Sequence, residues 1–208
     1  MKKRIIVGGG ASAFFCAANL DETKYQITIL EQNSDVLQKV KISGGGRCNV
    51  SHACFDPKEL VQFYPRGSRE LLSVFTKFQP GDTMEWFETR NIPLKIEDDG
   101  RIFPESNSSQ TIIDVFQKEI AAKNVEVKTQ CVVKQIIKTK FGYKIISKEE
   151  EFEADFVIFT PGSSPKTLKI IEELGNSTIP AVPSLFTFNI KDEVLSDLPG
   201  TSFPNAEV

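Results

Sequence analysis

Apolar and polar positions along the chain change period several times. Residues 3–8 are apolar without alternation from Ile5 to Val7, the pattern of a strand buried on both faces. Three glycines follow, Gly8 to Gly10, and Ala11–Leu20 then reads as a helix rich in small residues. Tyr25–Glu31 is a second strand. Together they make a βαβ opening of about thirty residues, the length a parallel crossover needs.

Residues 32–55 show no regular period and read as one long loop around Ser43-Gly44-Gly45-Gly46-Arg47-Cys48-Asn49. A loop of that length in a compact domain is usually functional or disordered. Helices are expected at about 57–64, 68–78 and 82–90, the third capped by Asp82 with Glu85 three residues on. Pro93–Ile96 and Arg101–Phe103 flank the turn Asp98-Asp99-Gly100 as two short strands. Gln110–Lys123 is an amphipathic helix with Ile113, Phe116 and Ile120 on one face and Ser109 as its N-cap.

Strands then return at Val125–Lys128, Val132–Lys138 and Tyr143–Ser147, an antiparallel-looking group, followed by an acidic turn at Glu149–Glu151. Phe156–Phe159 is apolar throughout, as a central parallel strand should be. A short helix over about 166–174 ends at Gly175, the position of a C-cap glycine. Beyond it Pro180, Pro183, Pro199 and Pro204 break up the chain around one expected strand, Leu185–Ile190. The pattern predicts an α/β fold. A Rossmann-like dinucleotide-binding domain with a central parallel sheet and a small antiparallel β-meander covers residues 1–190. Residues 191–208 read as the entry to a further segment, so the domain is expected to be incomplete.

Composition narrows the function. The chain has 208 residues, 40% hydrophobic and 25% charged, with a formal net charge of -3. That balance offers no basic face for nucleic acid, and no apolar run approaches the ~20 residues of a membrane span. The charged start Met1-Lys2-Lys3-Arg4 leads into a short strand and glycines rather than a signal-peptide core. A cytoplasmic protein is expected. The four cysteines, Cys16, Cys48, Cys54 and Cys131, contain no CxxC pair, and His52 is the single histidine. Free thiols in a reducing compartment are therefore expected, with no metal site. A lone histidine also disfavours a Ser-His-Asp hydrolase.

Gly8-Gly9-Gly10-Ala11-Ser12-Ala13 fits G-x-G-x-x-A. Gly8 permits the tight turn, Gly10 lets a pyrophosphate approach the backbone, and Ala13 lets the helix pack closely on the sheet. Ser12 lies in the first turn of that helix, whose free N–H groups suit phosphate. Glu31 ends the second strand 23 residues after Gly8, with Gln32 beside it. A carboxylate there can accept from both ribose hydroxyls, which favours FAD or NAD over a 2′-phosphorylated nucleotide. The meander in place of a crossover helix points to FAD.

Lys41-Ile42-Ser43-Gly44-Gly45-Gly46-Arg47-Cys48-Asn49-Val50 resembles the signature of the HI0933-like (BaiN/YhiN-type) FAD-binding flavoproteins. Gly100-Arg101-Ile102-Phe103-Pro104-Glu105-Ser106 and Ala181-Val182-Pro183-Ser184-Leu185 resemble two further segments of that family, in the same order. The resemblance implies an FAD-dependent oxidoreductase acting on a small molecule, with NAD(P)H a candidate electron donor. It implies FAD contacts at Gly8–Ala13, Glu31 and Gln32, and in the loop at Lys41, Gly45, Gly46, Arg47, Cys48 and Asn49. Arg47 there pairs with phosphate. In similar flavoproteins a residue at Val133 meets adenine through its backbone, and Thr160 and Gly162 stand where relatives have A-T-G-G. Pro161 departs from that run and has no N–H to donate. No catalytic base is legible. Two other readings stay open at this point: an NAD(P)-linked reductase, and a dinucleotide-binding domain without turnover.

Overall fold

A computed structural model describes residues 1–182 and divides the chain into two units, Met1–Thr178 and Ile179–Val208. The expected strand Leu185–Ile190 and the end of the Ala181–Leu185 segment lie outside the described residues. The first unit is α/β.

Strands β1 (Lys2–Val7), β2 (Tyr25–Leu30), β6 (Glu126–Lys128) and β10 (Phe156–Phe159) form a parallel sheet in the order β10-β1-β2-β6. Ile6 of β1 pairs with Ile29 of β2 and Ile158 of β10, so the three share one register. Helix α1 (Ala11–Asn19) follows β1, and α6 (Ser109–Ala122) precedes β6. Both lie on one face of the sheet. There Ile6, Ile27 and Ile29 join Ala13, Phe14, Ala17, Ile112 and Phe116 in the larger core, which also holds Trp86 and Phe87 of α5 (Pro80–Glu88). Ala13 and Ala17 are fully buried, and side chains this small let α1 sit close to the strands.

The opposite face carries no crossover helix. It is covered by an antiparallel meander of β7 (Val133–Thr139), β8 (Gly142–Ser147) and β9 (Glu151–Ala154), together with α7 (Pro165–Glu173). Ile5, Val7 and Leu30 pack there on Ile136, Ile145, Ala154 and Ile170. A third, small antiparallel sheet joins β3 (Ser51–His52), β5 (Arg101–Pro104) and β4 (Leu94–Ile96).

Short helices complete the unit: α2 (Gln38–Ile42), α3 (Pro57–Leu60) and α4 (Ser68–Phe75), with 3₁₀ turns at Ser43–Gly46 and Val61–Phe63. The loop expected over residues 32–55 therefore contains α2, one 3₁₀ turn and β3.

Five local expectations are corrected. Val125–Lys128 contributes to the parallel sheet rather than the meander, because Thr28 and Leu30 of β2 pair with Glu126 and Lys128. The acidic turn ends where β9 begins, at Glu151. Helix α5 starts at Pro80: Gln79 is its cap and Asp82, at the third position, donates no cap of its own but accepts from the Gln79 N–H at 2.7 Å. Helix α6 is capped by Ser108, while the Ser109 hydroxyl is buried and donates to the Lys41 carbonyl at 2.8 Å. Finally, β10 is an edge strand among the described residues, with Phe156 43% exposed, and not a central one.

Candidate functional site

Adjacent parallel strands β1 and β10 send their helices to opposite faces of the sheet. Helix α1 joins the core on one face, and α7 places Ile170 in the core on the other. The chain therefore opens between them beyond the carboxyl ends of the strands, where doubly wound sheets bind ligands. A cleft of about 1040 Å³ occupies this place.

Three backbone features shape it. Gly8 sits at φ +108°, and a β-carbon on it would lie 2.4 Å from the Thr160 carbonyl oxygen. Thr160 is in turn tied to β1: its hydroxyl donates to the carbonyls of Val7 and Gly8 at 3.1 and 3.0 Å. Gly10, at an ordinary φ of −89°, would carry a β-carbon with nothing within 4 Å. That open space adjoins the start of α1, where the first N–H groups to bond back are those of Ala13 and Phe14, to the Gly10 carbonyl. Ala11 and Ser12 line the cleft with their N–H groups still available to an anion.

The end of β2 supplies the carboxylate. Glu31 is 8% exposed; one oxygen accepts the Gly9 N–H at 2.6 Å, and the other accepts the backbone and side-chain N–H groups of Asn33 at 2.8 and 2.7 Å. The carboxylate is thus fixed across the glycine turn before any ligand arrives. A β-carbon on Gly9 would come within 2.9 Å of the Glu31 β-carbon, so this middle glycine is required by Glu31 itself.

Of the residues singled out in the sequence, Gly8, Gly10, Ser12, Glu31 and Gln32 line the cleft, as do Cys48, Asn49, Val133, Thr160 and Gly162. Ala13 does not; it packs α1 on the sheet, as its small size suggested. Lys41, Gly45, Gly46 and Arg47 also stand outside the lining. Arg47 pairs with Glu97 at 2.6 Å, and its guanidinium lies 3.9 Å from the centre of the buried Phe103 ring. Gly44 fits closely beneath the same ring: a β-carbon there would be 2.7 Å from Phe103 Cε1. The two motifs Ser43–Asn49 and Gly100–Ser106 therefore meet, and Arg47 clasps one to the other. Asn49 contributes from the cleft wall, since with its amide nitrogen turned toward this sheet it donates to the carbonyls of Ser51 (2.8 Å) and Ile102 (3.3 Å). Arg47→Ala is expected to lower stability by about 1 kcal/mol, from the half-buried ion pair and the ring contact. ADP affinity should stay within about twofold. Thermal unfolding and ADP titration check both, and a large loss of ADP affinity would return Arg47 to the phosphate.

Cys48 is buried at φ +62°, and burial pushes its thiol above the ordinary cysteine range. It is a packing residue of the cleft wall rather than a reactive thiolate. Cys48, His52 and Cys54 do not gather: among the described residues no group of three His, Cys, Asp or Glu can hold a metal. No described helix is long and apolar enough to cross a membrane. Sequence reasoning missed Lys39, Lys166 and Asn33, which line the cleft. No sequence signal marked Lys39, because α2 was not legible; once that helix is known, residues two apart face opposite ways and Lys39 and Lys41 cannot both face one cleft.

The HI0933-like protein Rossmann domain model matches residues 2–181. A 3-dehydro-bile acid delta(4,6)-reductase of Clostridium scindens is 27% identical over 196 residues, covering 89% of this chain and 47% of that protein. A ribosomal RNA dihydrouridine synthase of Escherichia coli is 25% identical over 202 residues, covering 93% and 50%. The chain thus spans about half the length of these curated relatives. Among solved structures, THI4 of Thermovibrio ammonificans superposes with a TM-score of 0.51 at 10% identity, over 83% of this chain and 62% of that one. Glycine oxidase of Geobacillus kaustophilus does so at 0.50 and 12%, over 85% and 60%. These two show the same fold. The chain belongs to the HI0933-like Rossmann domain family.

Proposed function

We propose that the cleft is the site of FAD and that the chain is the dinucleotide-binding portion of a reductase acting on a carbon–carbon double bond conjugated to a carbonyl. The observation that carries the first half is the switch-point cleft itself, with an open Gly10 and a Glu31 carboxylate fixed at the end of the neighbouring strand. The residues present fit an adenosine diphosphate group. The Ala11 and Ser12 N–H groups face phosphate, Glu31 and Gln32 face ribose, and Val133 walls the adenine side. Thr160 holds the glycine turn closed against β10 and Gly162 borders the opening. FAD, when bound, supplies the two-electron step; the chain's own groups bind and orient it.

The second half rests on the chemistry in two relatives' names. A 3-dehydro delta(4,6) substrate is a ketone conjugated to double bonds, and the uracil ring of uridine has a double bond conjugated to a carbonyl. Both names describe saturation of such a bond. For this chain a small conjugated ketone is the reading taken, because a net charge of -3 offers little to an RNA backbone. NAD(P)H is the proposed electron donor. The four cysteines are free thiols, which suits the cytoplasm as the proposed location.

Titration of the chain with FAD, followed by flavin fluorescence, is expected to saturate, with FAD preferred over riboflavin. No saturable binding sinks the FAD half. For the second half, the complete product of the gene is reduced anaerobically with NADPH and mixed with cyclohex-2-enone, uridine or cyclohexanone. Return of oxidised-flavin absorbance with the enone but not with cyclohexanone supports the reading; no return with the enone, or return with uridine or cyclohexanone alone, overturns it.

A further inference from the structure

Arg47 is committed to Glu97 and Phe103 and stands outside the lining, which leaves Lys39 and Lys166 as the cations of the cleft. We propose that Lys39 is the cation that grips the pyrophosphate of the bound dinucleotide, an inference that rests on the dinucleotide reading of the cleft. Three observations place it there. Lys39 lines the cleft, and its ammonium would stand 3.4 Å from a β-carbon on Gly162, so the side chain reaches from α2 to the turn after β10. That turn is the one locked to the glycine loop by the Thr160 hydroxyl.

Helix α2 is itself anchored to the same loop. The Leu37 N–H donates to the Gly9 carbonyl at 2.9 Å, and Leu37 holds φ +57°, a conformation costly for a branched side chain, while fully buried. The other end of α2 is held by the Ser109 hydroxyl on the Lys41 carbonyl. The ammonium is therefore delivered by a short helix pinned at both ends into the cleft that Ala11 and Ser12 also line. Neither carboxylate of the lining forms an ion pair with it among the described residues: Glu31 is taken by Gly9 and Asn33, and the bond that Asp35 makes is with the Ser34 hydroxyl. Among the described residues no ion pair engages this ammonium, and it shares the cleft with the α1 N-terminus, two features that favour the same anion.

The test is calorimetric titration of the 208-residue chain with ADP, adenosine and FAD. Lys39→Ala is expected to bind ADP and FAD about tenfold more weakly and adenosine equally well. Lys39→Arg should stay within about threefold, and Lys41→Ala, the same charge change on the far side of α2, should match the wild type. Added salt should weaken ADP binding more in the wild type than in Lys39→Ala. Wild-type affinity in Lys39→Ala, or an equal loss in Lys41→Ala, overturns the assignment. Lys39→Met, which keeps the apolar stem, replaces the alanine variant should circular dichroism show that one unfolded. A wild type that binds ADP but not FAD defeats the FAD reading and leaves the lysine to be judged on ADP. One that binds neither overturns both.

Discussion

Gly8→Ala is expected to lower the stability of the chain by about 2–4 kcal/mol, the largest effect of any single methyl group in the cleft. Two costs combine. The backbone sits at φ +108°, where a β-carbon is strained whatever surrounds it, and that carbon would be 2.4 Å from the Thr160 carbonyl oxygen. The obstacle is backbone, so no rotamer change removes it. Relief requires β10 to move from β1, yet the Thr160 hydroxyl and the Thr160 N–H both hold β10 to Val7. Gly10→Ala is the matched comparison. Its φ of −89° is ordinary and its new methyl meets nothing within 4 Å, so the fold should keep its stability within about 0.5 kcal/mol. The methyl then occupies the space a phosphate needs, and FAD affinity should fall about tenfold or more. Urea unfolding and FAD titration of the two variants separate a glycine that serves the fold from one that serves the ligand. Equal unfolding midpoints in Gly8→Ala and the wild type would show that β10 yields at little cost.

The same contrast shows what the sequence could reveal. The βαβ opening was legible nearly to the residue, because local demands agree there: an apolar strand, glycines where a side chain would collide, and alanines where a helix must approach. Two strands of the meander were legible in Val132–Lys138 and Tyr143–Ser147, whereas its place opposite α1 was not. The sheet assignment of Val125–Lys128 was not. Three residues carry no period, and their partner, β2, lies about a hundred positions away, at Thr28 facing Glu126. Strand β9 was hidden for a similar reason, since its charged Glu151 and Glu153 face away from the sheet while Phe152 and Ala154 pack inward. The caps were misplaced by one to three residues because Ser108 and Ser109 are chemically alike; only the tertiary partner of Ser109, the Lys41 carbonyl, tells them apart.

In the candidate site the same limit applies to long side chains. Arg47 in a glycine-rich loop has the composition of a phosphate ligand, and nothing local announces Glu97, fifty positions on, or Phe103. Lys39 was overlooked because α2 is short, and its anchor is a backbone bond from Leu37 to Gly9 that no side-chain pattern encodes. Residue types raised the expectation of a dinucleotide cleft. Which side chains line it depends on contacts between segments far apart in the chain.

Glu31 unites fold and ligand in one side chain, and its removal should show both. In Glu31→Ala the Gly9 N–H and the Asn33 N–H groups lose their acceptor inside a site that is 8% exposed. Leaving such donors unpaired costs about 1–3 kcal/mol each when water cannot replace the acceptor, so a total loss of about 2–4 kcal/mol is expected, partly offset for the exposed Asn33 amide. Glu31→Gln keeps the shape but turns one oxygen into a donor that faces other donors, and about half that loss is expected. The ribose raises a sharper question. A carboxylate offers about four acceptor positions, and three are filled by the turn, so a sugar with two hydroxyls must displace one protein donor. The Asn33 amide is the most exposed of the three and is the group that should give way. Asn33→Ala is therefore expected to leave unfolding within about 0.5 kcal/mol of the wild type and to keep or tighten FAD affinity, whereas Glu31→Gln weakens it at least tenfold, the cost of about 1.4 kcal/mol that one charge-assisted bond carries. Titration of both variants with FAD decides the matter: a large loss in Asn33→Ala would mean that the amide stays and binds the ribose itself, with Glu31 acting only to hold it.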